Sequence, residues 1–150
     1  MLSISNAPVQ DRILTAAASC VIDFGVERVT LAEVPVRGSG RAALVDRVVA
    51  VADRLRGDDL VMAVLRSELA LVYIAQRLGS SQQMLIDALA SDLRAAQRDG
   101  TVRSGDPRQL AAMVLLITQS TIQSAQIVRP ILNAEALATE LAYSLNGYLS

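Results

Sequence analysis

Apolar residues recur every third or fourth position along most of this chain, the spacing that gathers them on one side of an α-helix. In the first segment Ile13, Leu14, Ala17, Ala18, Val21 and Phe24 follow that rule, and Gly25 supplies a C-terminal stop. Thr30-Leu31-Ala32-Glu33 reads as a capping box, with Thr30 as N-cap and Glu33 reaching back. The helix it announces is halted almost at once by Pro35, and 35–40, with Pro, Gly, Ser and Gly, reads as a loop.

A long helix is predicted from about Arg41 to Arg56, with Leu44, Val48, Val51 or Ala52, and Leu55 on one face and Gly57 at its end. Asp58 or Asp59 caps the next, which carries Leu60, Val61, Val64 and Leu65 and runs on through Leu71, Ile74 and Leu78, with a break near 68–70. After Gly79, Ser80-Ser81-Gln82-Gln83 is a second capping box, opening a helix with Leu85, Leu89, Leu93 and Ala96 in line and a stop at Gly100. Asp106-Pro107 places an N-cap and a first-turn proline at the head of a helix running to about Val128, before Arg129-Pro130. Asn133 caps a last helix with Leu137, Leu141, Leu145 and Tyr148 in register. No segment alternates with the period of a strand, and there is no internal repeat or low-complexity tract, so the predicted class is all-α.

Composition narrows this picture. The 150 residues suit one domain with a real core, and 52% hydrophobic content excludes a disordered chain. Only 3% are aromatic, which leaves Leu, Ile, Val, Ala and Met to fill the core. A net charge of -1 gives no pointer to nucleic acid or to an acidic substrate. Cys20 stands alone, so an internal disulfide is excluded and a cytoplasmic location is expected. Residues 1–8 lack a charged n-region and a long apolar stretch, so no signal peptide is expected. The apolar run 110–117 is far too short to span a bilayer, and no membrane partner is expected.

Catalytic chemistry finds little to work with. The chain has no His for a triad or a metal site, and Cys20 lies on an apolar helix face without a neighbouring base. Asp58-Asp59 suits a helix cap better than a metal, and Gly38-Ser39-Gly40 lacks the Lys and the flanking strand of a phosphate loop. The expectation is therefore no enzyme, no cofactor and no metal.

The order of pieces resembles the tetracycline-repressor (TetR) family of regulators. Arg12-Ile13-Leu14-x-Ala16-Ala17, then Phe24-Gly25, then Val29-Thr30-Leu31, resembles their first helix and the start of the second. The stretches 59–67 and 76–79 look like their effector-binding domain, and Gly100-Thr101-Val102-Arg103-x-x-Asp106-Pro107 is similar to the link before their penultimate helix. The resemblance implies a TetR-like helical bundle: residues 1–37 as the remnant of an N-terminal helix-turn-helix region, and 38–150 as a ligand-binding and dimerisation domain. It implies a homodimer that binds operator DNA and is released by a small apolar or amphipathic effector. One departure matters. After 30–34 the family continues with the rest of helix two, a tight turn and a recognition helix, whereas here Val34 passes directly to Pro35. Operator DNA is a partner only if that segment exists. The alternative is a head-less dimeric module that binds a small molecule or a partner without contacting DNA.

Candidate residues come from these expectations. For DNA they are Arg28, Thr30 and Arg37, through phosphate contacts, although Thr30 equally well only caps its helix and the arginines are equally well solvated. For the effector they are Met62, Leu65, Leu69, Tyr73, Met84 and Met113, with Gln119, Gln123 and Tyr73 as hydrogen-bonding groups; the plain alternative is ordinary core. For the dimer they are Ile117, Thr121, Ser124 and Val128 on the penultimate helix and Leu137, Leu141, Leu145 and Tyr148 on the last, the alternative being packing within one subunit.

Overall fold

The computed structural model describes residues 38–59, 62–63 and 80–150. These form α1 (Gly40–Arg56), α2 (Ser80–Arg98), α3 (Pro107–Gln123), the single turn α4 (Ala125–Val128) and α5 (Ala134–Leu149), and no strand occurs among the described residues. The fold is all-α, as the periodicity predicts.

The start and stop signals act as their chemistry requires. Asp106 accepts the Arg108 amide at 2.9 Å, with Pro107 occupying a position whose N–H would otherwise need a partner. Asn133 accepts the Ala136 amide at 2.8 Å. The end of α2 is a Schellman motif: Thr101 donates its amide to Ala96 O at 3.0 Å and Gly100 to Gln97 O at 3.1 Å. That geometry puts Gly100 at φ 74°, in the left-handed region where a side chain is costly.

The four long helices pack in a ring. α2 lies against α3, α3 against α5, α5 against α1 and α1 against α2, with α1 also touching α3 across the middle. Their buried faces meet in one core. α1 contributes Leu44, Val45, Ala52 and Leu55, and α3 contributes Leu110, Ala111, Val114 and Ile122. α5 adds Leu141, Leu145 and Leu149. On α2 the buried row is Ile86, Ala90, Leu93 and Ala96, while Leu89 packs from the edge and Leu85 is half-buried. The expected row of Leu85, Leu89, Leu93 and Ala96 is thus rotated slightly, because α2 presses against both α1 and α3 and centres its stripe between them.

The penultimate helix is interrupted where an unbroken run to Val128 is expected. α3 ends at Gln123, Ser124 sits at φ -97° and ψ 2°, and α4 comes next. Just before the break two hydroxyls bond back to the main chain, Thr118 Oγ1 to Val114 O and Thr121 Oγ1 to Thr118 O, both at 2.7 Å. Such back-bonding bends helices.

Candidate functional site

The link between α2 and α3 ties together four elements, and nearly every residue of the 100–107 motif has an assignable task. Thr101 Oγ1 donates to Ala96 O at 3.2 Å and accepts the Arg41 amide at 3.1 Å, so it closes α2 and satisfies the first turn of α1. Val102 is buried in the core. Arg103 donates its amide to Leu149 O at 2.9 Å and Nε to Tyr148 O at 2.8 Å, capping α5, and its guanidinium lies 4.8 Å from the Tyr148 ring centre. Gln97 Nε2 holds the link from inside through Arg103 O at 3.1 Å and Gly105 O at 2.9 Å. The motif is therefore a joint, and it fixes α1 and α5 to the α2–α3 pair at the end where residues 38–40 enter the bundle.

Ion pairs reinforce the same framework. Arg47 on α1 reaches Asp92 on α2 at 3.6 Å, and Arg108 on α3 pairs with Asp87 on α2. Both pairs are substantially exposed and contribute little net stability. Arg56, at the end of α1, is different: its side chain is buried and bonded to Asp53 at 3.0 Å.

The nominated effector residues separate when placed on this frame. Met62 is buried in the core cluster, beside the end of α1. Met84 on α2 is 69% exposed and Met113 on α3 also faces outward. Gln119 and Gln123 are half-buried on α3. Leu65, Leu69 and Tyr73, and the nominated DNA contacts Arg28, Thr30 and Arg37, lie outside the described residues. No group of three or more metal-ligating side chains occurs among the described residues, and none of their helices is long and apolar enough to cross a membrane.

The nominated dimer residues also divide. Leu141 and Leu145 are buried in the chain's own core cluster, Leu137 is buried outside that cluster, and Tyr148 packs against the core from its edge. Ile117, Thr121, Ser124 and Val128 are half-buried. The outward apolar groups were missed by spacing alone: Leu116 on α3 (59% exposed), Ile127 on α4 (80%), Ile131 after it and Tyr143 on α5 (78%). On α3, Gln109, Met113, Leu116 and Ser120 form one exposed stripe at helical spacing. The signal for it lay in a helix apolar nearly all round, which one subunit cannot bury completely.

Comparison with known proteins adds the decisive observation. The chain is 54% identical, over 188 aligned residues, to proteins named as uncharacterized HTH-type transcriptional regulators in Mycobacterium tuberculosis (strains H37Rv and CDC 1551) and Mycobacterium bovis. The alignment covers 99% of this chain and 100% of each relative.

The chain belongs to the HTH-type transcriptional regulators.

No family profile and no solved structure matches it. Because 188 aligned positions exceed the 150 residues of this regulator, at least 38 positions of the relatives have no counterpart in it. With both chains covered almost end to end, those positions fall opposite internal gaps.

Proposed function

We propose that this regulator is of the TetR type. It works as a cytoplasmic homodimer that binds operator DNA through its N-terminal region and is released by a small apolar or amphipathic effector bound among the middle helices. The observation that carries the reading is the full-length match to helix-turn-helix regulators, on a chain whose motifs keep the TetR order from Arg12 to Pro107. Thr30 with Arg28 and Arg37 would meet phosphates, Met62 and the segment after it would line the pocket, and no catalytic step is assigned.

The dimer surface proposed is the outward side of α3, α4 and α5. Leu116, Ile127 and Tyr143 supply exposed apolar area, with Ser120 as a polar neighbour and Ile117, Thr121, Ser124, Val128 and Tyr148 at the margins. Leu137, Leu141 and Leu145 support this surface from within the subunit. Effector binding that favours one dimer geometry would alter the separation of the two DNA-reading regions, and affinity for DNA would change by the differential binding. The α2–α3 joint suits this role, because it couples the start of α1 to the end of α5 through short hydrogen bonds.

The test is mobility shift of DNA upstream of the protein's own gene, with the complex running as a dimer and weakening steeply as salt rises. Absence of specific retention at low salt would sink the DNA-binding reading.

The internal gap favours a second reading, the head-less dimer. If the unmatched positions of the relatives include the recognition helix, expected between Val34 and Pro35, this chain senses a ligand or pairs with a longer relative without reading DNA. Intact mass of the native protein separates the two. A value near 16.0 kDa favours the head-less module, and one several kilodaltons larger restores the reading head.

A further inference from the structure

The outer face of α5 carries a glycine that nothing within the subunit requires. Gly147 lies inside the helix, is exposed, and is not among the described glycines with positive φ. A Cβ added there meets nothing within 4 Å. Alanine would therefore fit both the backbone and the space, and it holds a helix better than glycine does. Fraying does not account for the glycine, because this end of α5 is fixed: Arg103 donates to the Leu149 and Tyr148 carbonyls at 2.9 and 2.8 Å. One turn back on the same face stands Tyr143, 78% exposed. A bulky ring thus stands beside a notch, on the side of α5 opposite the buried Leu141 and Leu145.

The exposed apolar area is of the size a subunit contact needs. With about 200 Å² taken for a fully exposed large side chain, Met113, Leu116, Ile127, Ile131 and Tyr143 leave roughly 600–700 Å² open at their observed exposures. The largest apolar patch of an ordinary monomer is about 300–600 Å², and each partner in a standard interface supplies about 800 Å². The exposed polar residues Ser120, Glu140 and Ser144 on the same helices add to the apolar total. A two-fold contact sets one patch against itself, so the patch must be complementary to itself. Tyr143 and Gly147 meet that condition. Two α5 helices crossing antiparallel, about a point between these positions, set each Tyr143 ring over the partner's Gly147, where no side chain stands in the way.

We propose that α5 docks on α5 of a second copy of this chain, with Tyr143 of each protomer seated on the partner's Gly147. The proposal rests on the dimer reading above and adds to it the pair of residues that sets the register of the two subunits.

Sedimentation equilibrium of the full chain, with native mass spectrometry of mixtures, tests this. Tyr143→Ala removes the ring and Gly147→Leu fills the notch, and each should weaken self-association at least about tenfold. Gly147→Leu should keep or raise the helical signal in circular dichroism, because leucine favours a helix and the space around position 147 is open. An equimolar mixture of the two variants should form the mixed dimer in preference to either variant's own. In the mixed dimer one ring still meets a glycine, and at the other contact a leucine meets an alanine. If either variant does not fold, the association constant of the other decides. Undiminished association in both variants overturns the contact while leaving a dimer through another surface standing. Weakened association with no preference for the mixed dimer overturns the reciprocal seating. An unaltered protein that stays monomeric at the highest attainable concentration overturns both the contact and the dimer reading beneath it.

Discussion

Replacing Arg103 with Met isolates the contribution of the α2–α3 joint to the stability of the bundle. The change keeps a long apolar stem and keeps the Arg103 amide bond to Leu149 O, which belongs to the main chain. It removes the Nε bond to Tyr148 O at 2.8 Å, a longer contact from Nη1 to Ser104 O at 3.3 Å, and the cation over the Tyr148 ring at 4.8 Å. A hydrogen bond from a charged donor contributes about 1.5 kcal/mol at the low end that suits an exposed site. An exposed cation–π contact adds about 0.5 kcal/mol. Water takes over part of the carbonyl's need, so the expected loss is about 1–2 kcal/mol. For a chain of this length that lowers the melting temperature by about 2–8 °C. The assay is thermal unfolding by circular dichroism at fixed protein concentration, because any self-association makes the midpoint concentration-dependent. Amide exchange supplies the local readout: the last turn of α5 should lose protection before the middle of α3 does. Arg103→Lys should recover less than half of the loss, since an ammonium cannot lie flat on the ring and donate to the carbonyl with one rigid plane. A midpoint within about 1 °C of the unaltered protein, with α5 protection intact, would refute the assignment of Arg103 as the cap of α5.

The same geometry yields further expectations. Gly100→Ala should cost about 1–2 kcal/mol from its left-handed backbone alone, since an added methyl meets nothing within 4 Å. Gly40→Ala should cost more, because at φ +89° the methyl also falls 3.2 Å from Thr101 Oγ1; denaturant titration of both variants checks the order. Leu145→Ala, at a fully buried site, should lose about 2–5 kcal/mol in the same titration, and a loss under about 1 kcal/mol would show that α5 is not packed as described. Leu116→Asp should shift the species seen by light scattering from dimer to monomer with the helical signal retained; a dimer unchanged at micromolar concentration would place the subunit contact elsewhere.

Much of this architecture is legible in one dimension, because helix starts and stops are local chemistry. Asp106-Pro107, Asn133 and Gly100 each act through hydrogen bonds or backbone angles within a few residues, so their identity suffices to locate a boundary. The apolar spacing of α1 and α5 likewise names residues that became core, such as Leu44, Leu55, Leu141 and Leu145. What spacing leaves open is the destination of each face. The leucine row of α5 suits a seam between subunits and a seam within one subunit equally well, and packing against α1 and α3 places it within. α3 is apolar almost all round, so its periodicity names no single inner face; burial of Val114 and Ile122 against α2 and α5 turns Met113 and Leu116 outward. Thr101 and Arg103 carry no helical signal, and their partners Arg41 and Tyr148 lie 60 and 45 residues away along the chain. The same holds for Arg56, an ordinary helix-ending arginine in one dimension whose burial arises from the packing around it. Propensity and capping act over a single turn and are written in adjacent letters. Burial depends on which helices meet, and that is set by the shape of the whole assembly.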